Sequence, residues 1–523
     1  MLHLSRHHGL IPSLIIASTA ALATIAIAGL QAEPQDGNAS AAASPLLLGD
    51  DERWLVLARE AQELRTNLAA DMTPDEIDEA LRDLRAKTDI YLEDHPDDYR
   101  AWNLIVNLSG QLQDDAGVDD AVANLRRIQP DNIQVGLMWV VHYSQTNATK
   151  SLAICDLLLE EKPTSLMYHN AWIVTQRTVD PAGVPARFKT LADNPETLDQ
   201  AIAFGRAVQQ SDAWEAVPMG LRLAELAPDN PAAVEVAGRA YRFSNQFDKG
   251  REILSTLSDE QLATPQLAYL YSDCHYADHH FDEAYEIMSA IDLDAIENEG
   301  LANRLRFMLP LRAQARTAWA EEQAIQTEQA KTENLPRVRL TINGEPVEVE
   351  LFAKEAPNTV AAFLALARRG DFDNTPFGQV QTGFRSIGGT IPGRVPYTLP
   401  GEFKREDARD FFSGTLAMYL PRAGDPDSAH CEWCIYHFPA PHLNGERTVF
   451  GRVVSGLEDV RAMREGQSTL DRVEIIRDAD PELAGYNPDP NVIDTAGRTR
   501  PFSEVMAESD ARAANTNGTP TSP

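Results

Sequence analysis

The sequence predicts a multidomain α + β protein: an N-terminal all-α helix-hairpin solenoid followed by a closed antiparallel β-barrel capped by two helices. Three observations predict it. The chain has 523 residues, too many for one ordinary domain. Residues 50–312 keep helical spacing and are punctuated by proline at a nearly constant interval. From residue 337 the hydrophobic period changes to two, with glycine and proline turns between short runs.

Composition narrows the function classes. The net charge is −33, from 46 Lys and Arg against 79 Asp and Glu. A nucleic-acid binder needs a basic footprint, and adsorption to anionic lipid needs one too, so both are disfavoured. Four cysteines cannot build a disulfide framework in a chain this long. With 30 Gly and 32 Pro the chain is neither collagenous nor wholly disordered.

Residues 1–32 read as a secretory signal or an uncleaved N-terminal anchor. Arg6 precedes an uncharged stretch from Gly9 to Ala32, Ala26-Ile27-Ala28 supplies a small-x-small cleavage pattern, and acidic sequence follows at Glu33. Residues 33–49, rich in Ala, Ser and Pro, read as a flexible leader. The expected location is therefore extracytoplasmic, periplasmic or secreted, with membrane contact only through that first segment.

Over 50–312 the prolines Pro96, Pro130, Pro163, Pro195, Pro228 and Pro265 are separated by 34, 33, 32, 33 and 37 residues. Proline ends a helix because it lacks an N–H, and the Asp or Asn that follows caps the next one. A period near 34 marks a two-helix repeat. Gly238, Tyr241, Phe247 and Gly250, with Phe281-Asp282-Glu283-Ala284, resemble the signature positions of tetratricopeptide repeats. That resemblance implies a surface for protein partners. His275, His279 and His280 read as a solvated histidine face rather than a metal cluster, and Cys155 and Cys274 as buried thiols. Residues 313–335 are polar and read as an exposed linker helix.

Residues 336–480 hold the informative text. Arg337–Ile342 and Val347–Phe352 flank Asn343-Gly344, a hairpin signal. Helices are expected near 357–369 and 456–464, and a closing strand over 470–477. The blocks Val349-Glu350-Leu351-Phe352, Ala356-Pro357-Asn358-Thr359-Val360, Gly383-Phe384, Gly388-Gly389, Pro400-Gly401-Glu402-Phe403, Gly414-Thr415-Leu416-Ala417-Met418, Leu443-Asn444-Gly445 and Thr448–Val454 resemble the cyclophilins, in family order. The resemblance implies an eight-stranded barrel with two capping helices, cis–trans isomerisation of X-Pro bonds, proline-containing clients, and no metal or cofactor.

It also assigns site positions, and many are altered. Gln379 stands where the family has its catalytic Arg. Phe384 and Leu443 keep their pocket identities. Ile387 replaces a carbonyl-orienting Gln, Tyr419-Leu420 an Ala-Asn pair, Cys434 a pocket Phe, His442 a groove Trp, and Arg447 a pocket His. Arg385, Arg394 and Arg447 are candidates to replace the lost guanidinium. Two functions follow: an isomerase of exported proteins whose repeats recruit partners, or a catalytically weak or silent peptide-binding barrel in a helical scaffold. Cys431 and Cys434 admit a disulfide, a metal site or two separate thiols. Residues 481–523, rich in Pro, Asn, Asp and Thr, read as a largely disordered tail.

Overall fold

The computed structural model describes residues 52–67, 72–332, 335–391, 395–422 and 424–517. The expected signal or anchor and the leader lie outside these residues, as does Arg394. No helix among the described residues is long and apolar enough to cross a membrane. The chain divides into two compact units, one up to Val208 and one from Gln209 onward.

Among its described residues, the first unit is helical with short turns. Glu52–Asn67, Pro74–Asp94, Tyr99–Gln111, Asp115–Ile128, Ile133–Thr146, Ala148–Glu161, Leu166–Val179 and Gly183–Ala192 follow one another through short turns. The prolines sit in the turns as expected, but the caps fall one residue later than the residue after proline. The Asp98 side chain accepts from the Arg100 N–H, and Asn132 from the Gln134 N–H. Trp54, Tyr91, Ile105, Val118 and Leu125 form the core, and Cys155 is a buried thiol.

The second unit opens with the helices Ala213–Leu226, Pro231–Phe243, Phe247–Leu254, Pro265–Ala277, Phe281–Ser289 and Glu299–Thr332. The first two nearly touch at Gly220, where an added Cβ would lie 2.5 Å from the Ala237 Cα. Only glycine permits that approach. The last helix runs for 34 residues without a break at 312. Most of its second half is exposed; Ala315 and Glu322 are buried, because they face the β domain that follows.

That domain is built from β1 (Arg337–Ile342), β2 (Glu345–Leu351), β3 (Thr375–Pro376), β4 (Gln379–Gln381), β5 (Arg385–Gly388), β6 (Tyr397–Thr398), β7 (Thr415–Met418), β8 (Trp433–Tyr436), β9 (Val449–Ser455), β10 (Thr469–Arg477), β11 (Asn491–Asp494) and β12 (Thr499–Pro501). Asn343 and Gly344 take φ of 52° and 88°, as a tight β1–β2 turn requires. Nine strands form one antiparallel sheet in the order β3-β10-β1-β2-β9-β7-β8-β5-β4. The expected closed barrel is corrected here: β3 and β4 are opposite edges and do not pair. Phe377-Gly378 joins them, with the Phe377 N–H donating to the Ser468 carbonyl and the Gly378 N–H to the Ile387 carbonyl. The chain itself, rather than a ladder, spans the gap.

Helix Pro357–Arg369 covers one end of the sheet. Its N-terminus is capped by Glu402, which accepts from the Asn358 and Thr359 N–H groups at 3.1 and 2.9 Å. The Pro400–Phe403 block thus has a structural reason. The expected disordered tail is a second correction. β11 and β12 join β6 in a small sheet, and helix Phe502–Asn517 follows. Val492, Phe502 and Val505 enter the main core beside Tyr397, and these few apolar side chains suffice to anchor a polar segment.

The helices and the β domain share one apolar cluster: Phe247, Tyr276, Phe281 and Ala315 from the helices, Phe412 and Phe438 from the loops before β7 and after β8. Polar clamps surround it. Buried Arg409 reaches Glu322, its Nε donating at 2.8 Å, and Glu355 at 3.3 Å. The Ser413 N–H donates to His279 Nε2 at 3.1 Å. His279 also lies against the Trp319 ring, with centroids 4.2 Å apart. The three histidines are therefore not a solvated face: burial draws His275 and His279 into packing, and only His280 is exposed. Across the sheet, His437 is fully buried and shares a 2.8 Å hydrogen bond with Ser386.

Two predictions follow from this junction. Glu322→Ala leaves the Arg409 guanidinium buried with one partner fewer and should lower stability by roughly 3 kcal/mol, read as a shift in the urea midpoint. Burial and the nearby Arg461 charge hold His279 at about 4 and His437 at about 3, against 6.5 unperturbed. The unfolded chain therefore binds more protons below pH 6.5. Stability should be complete above that pH and fall as pH drops toward 4 and then 3. His279→Gln, which retains an acceptor for Ser413, should flatten the upper part of that decline in a series of denaturation midpoints.

Candidate active site

The groove lies on the outer face of β5, β7 and β8. Strand period two puts alternate residues there. Ile387, Ala417, Cys434 and Tyr436 point outward and pack with Phe352, Phe411, Ala440, Leu443 and Val449, with half-buried Phe384 and Tyr419 at the margin. Their neighbours Leu416, Trp433 and Ile435 point inward to the main core.

The structure brings most of the sequence-assigned positions together. Gln379 on β4 stands directly opposite Ile387 on β5, so both share the groove face. Phe384 packs edge-on to Tyr436, with centroids 5.5 Å apart, and His442 stacks beside Phe384 at 6.1 Å. Leu443 is buried under them. Leu420 is a correction: it packs against the inner core, because it follows Tyr419 and so takes the other face. The disulfide alternative is corrected as well. Cys431 is a free thiol in the inner core and Cys434 a free thiol in the groove. Burial pushes both up to about 11, so they stay protonated at neutral pH.

A guanidinium does enter the groove, from Arg385. Its carbon lies 5.2 Å from the Phe384 ring centroid and 5.4 Å from that of Tyr419. Its Nη1 is 3.7 Å from Cys434 Sγ, and its Nε donates to Gln381 Oε1 at 3.3 Å. Strand alternation alone puts Arg385 on the face of Ile387, so the sequence held that signal. Arg447 is half-buried, and its Nε and Nη1 are enclosed without a hydrogen-bond partner among the described residues.

Other functional contacts were not legible. The β4–β5 turn that carries Phe384 and Arg385 is held by Asn245, which lies between helices Pro231–Phe243 and Phe247–Leu254. Its Oδ1 accepts from the Gly383 N–H at 2.6 Å, and its Nδ2 donates to the Arg461 carbonyl at 3.1 Å. Beneath the turn, Arg242 stacks on Phe438 at 4.3 Å and pairs with Asp273 at 3.0 Å, where Arg312 also binds. The His437 N–H donates to the Phe384 carbonyl at 2.9 Å. These partners lie from 31 to 216 residues apart, and no local pattern announces them.

Comparison with known proteins agrees with this geometry. Residues 337–478 match the family described as cyclophilin type peptidyl-prolyl cis-trans isomerase/CLD. Peptidyl-prolyl cis-trans isomerase B of Bacillus subtilis is 40% identical over 128 residues, covering 24% of this chain and 87% of that protein. A peptidyl-prolyl cis-trans isomerase of Synechococcus elongatus is 35% identical over 139 residues, covering 25% and 91%. Among solved structures, a Cryptosporidium parvum cyclophilin type peptidyl-prolyl cis-trans isomerase covers 28% of this chain and 99% of its own, at 25% identity and a TM-score of 0.25. Through its C-terminal β domain, the chain belongs to the cyclophilin type peptidyl-prolyl cis-trans isomerase family.

Proposed function

We propose that the protein is a peptidyl-prolyl cis-trans isomerase acting on X-Pro bonds of exported proteins, with tetratricopeptide-like helices that recruit protein partners. The observation that carries the reading is the Arg385 guanidinium beside Phe384, in a groove that keeps Leu443 and places Gln379 on the same face.

Rotation about a peptide bond faces a barrier of about 18–20 kcal/mol, and an unaided X-Pro bond exchanges over tens to hundreds of seconds. At the top of the barrier the amide is twisted and its nitrogen regains a lone pair. A donor aimed at that nitrogen binds the twisted form better than either planar isomer, and this differential binding is catalysis. Phe384 and Leu443 supply an apolar seat for the proline ring. Gln379 and Arg385 supply N–H donors beside it. A charged donor makes hydrogen bonds roughly twice as strong as a neutral amide, so Arg385 carries the larger share. No nucleophile, metal or cofactor enters this chemistry. The buried clamps under the β4–β5 turn fix the donor against the ring, which such a mechanism needs.

A second reading, a peptide-binding module without turnover, is favoured by Gln379 and Ile387 at positions where the family has Arg and Gln. One experiment separates the two. The full-length chain should accelerate exchange in a panel of X-Pro peptides. Phe384→Ala and Arg385→Met should each lower kcat/KM, the latter by about 10²-fold, and Gln379→Arg should raise it. No acceleration over buffer for any peptide overturns the isomerase reading. Export is supported by the charge and hydropathy layout of residues 1–32. In cell fractionation the full-length chain should leave the cytoplasm, and a chain lacking residues 1–32 should stay there; full-length protein retained in the cytoplasm overturns this part.

A further inference from the structure

We propose that Arg385 and Arg447 make the groove selective for X-Pro segments that carry a carboxylate side chain next to the proline. The inference deepens the isomerase reading and rests on it for the proline, not for the carboxylate.

Pairing is the rule for arginine in this unit. Arg242 and Arg312 share Asp273, Arg409 holds Glu322 and Glu355, Arg452 holds Glu350, and Arg461 holds Asp278. A buried guanidinium without such a partner loses its hydration and regains little. The two groove arginines depart from the rule. Among the described residues, neither Arg385 nor Arg447 forms an ion pair. Arg385 rests on two aromatic faces, an amide oxygen and a thiol. The Nε and Nη1 of Arg447 are buried and have no hydrogen-bond partner among the described residues. The chain carries 79 acidic side chains, and Glu446 acts on His442 at the groove margin, yet neither arginine is ion-paired.

Leu443 and Val449, which flank Arg447 in sequence, belong to the groove cluster against which Phe384 packs, so the two arginines serve the same stretch of groove. Both oppose the burial that raises the Cys434 thiol, and Arg447 also acts on Tyr436 and His442. A carboxylate entering beside Phe384 would meet both guanidiniums in a partly dehydrated site, where charge-assisted hydrogen bonds are strongest. The overall charge of −33 decides the size of the anion. A polyanion such as nucleic acid or an anionic membrane is repelled over the whole surface. A single carboxylate on an extended peptide is screened from that field beyond about 8 Å and feels only the groove.

The test uses the full-length chain and two peptides, Ala-Asp-Pro-Phe and Ala-Asn-Pro-Phe, acetylated and amidated so that the Asp side chain is the only anion. Calorimetric titration should give about tenfold tighter binding for the Asp peptide, and the ratio should shrink as salt is raised to about 0.5 M. Arg447→Gln should bring the ratio toward one, and Arg447→Lys should retain part of it. Equal wild-type affinities for the two peptides, or a ratio insensitive to salt, overturn the inference whether or not the variants fold. Isomerisation measured on the same peptides separates the two claims. Preference without turnover sinks the isomerase reading alone, and turnover without preference sinks this one alone.

Discussion

The junction between the helices and the β domain is the constraint on which the groove depends. Phe412 and Phe438 leave the β domain and are buried among Phe247, Tyr276 and Phe281 of the helices. Burial of each contributes about 1.5–3 kcal/mol. Phe411, next to Phe412, and Tyr436, two residues before Phe438, do the opposite. Both point into the groove. Two short segments therefore carry the groove floor on one side and the helical contact on the other. The floor cannot move without disturbing the junction. Dense packing transmits such displacements because interiors hold few voids.

Polar contacts narrow the same freedom. Asn245 binds the Gly383 N–H and the Arg461 carbonyl at once, so one side chain ties a helical turn to the groove turn and to the short helix Leu457–Arg461. Asp273 pairs with two guanidiniums, those of Arg242 and Arg312, under Phe438. Removing any one partner from such a set strands a buried charge, which costs more than the pair itself contributes. The helices from Ala213 to Thr332 thus act as a foundation for the β domain, and this role is compatible with partner recruitment elsewhere on the helical surface.

How much was legible follows from the range of each signal. The β1–β2 turn, helix Pro357–Arg369 and the order of the blocks are written in adjacent residues, and sequence reading places them within a residue or two. The helical period was also local, although the caps Asp98 and Asn132 fall one position past Asp97 and Asp131. What failed was non-local. Closure of the barrel depends on whether β3 and β4 meet, which no local pattern decides. The tail looked disordered because averaging hides Val492, Phe502 and Val505, three apolar residues whose burial outweighs a polar background. The histidines at 275 and 279 looked solvated because helical spacing does not say what packs against a face. Arg385 lay between: its face followed from alternation, and its partner rings did not.

The position of that arginine bears on how a rebuilt site keeps its chemistry. Gln379 pairs with Ile387, and Arg385 lies two residues along β5 on the same face, about 6.6 Å away at ordinary strand rise. An arginine stem has a comparable reach, so a charge rooted at 385 can return toward the space a guanidinium rooted at 379 would fill. The exchange alters more than geography. On β5 the side chain is wedged between Phe384 and Tyr419 and touches Cys434, so its flexible stem is ordered before a peptide arrives. Pre-ordering lowers the entropy lost on binding. It also brings the charge against the surface that would hold the proline ring, which favours a substrate with polar or anionic character nearby over a purely apolar one. The departures at 379, 387 and 434, with Arg385 set among them, are thus read better as one coordinated change in the groove than as separate losses.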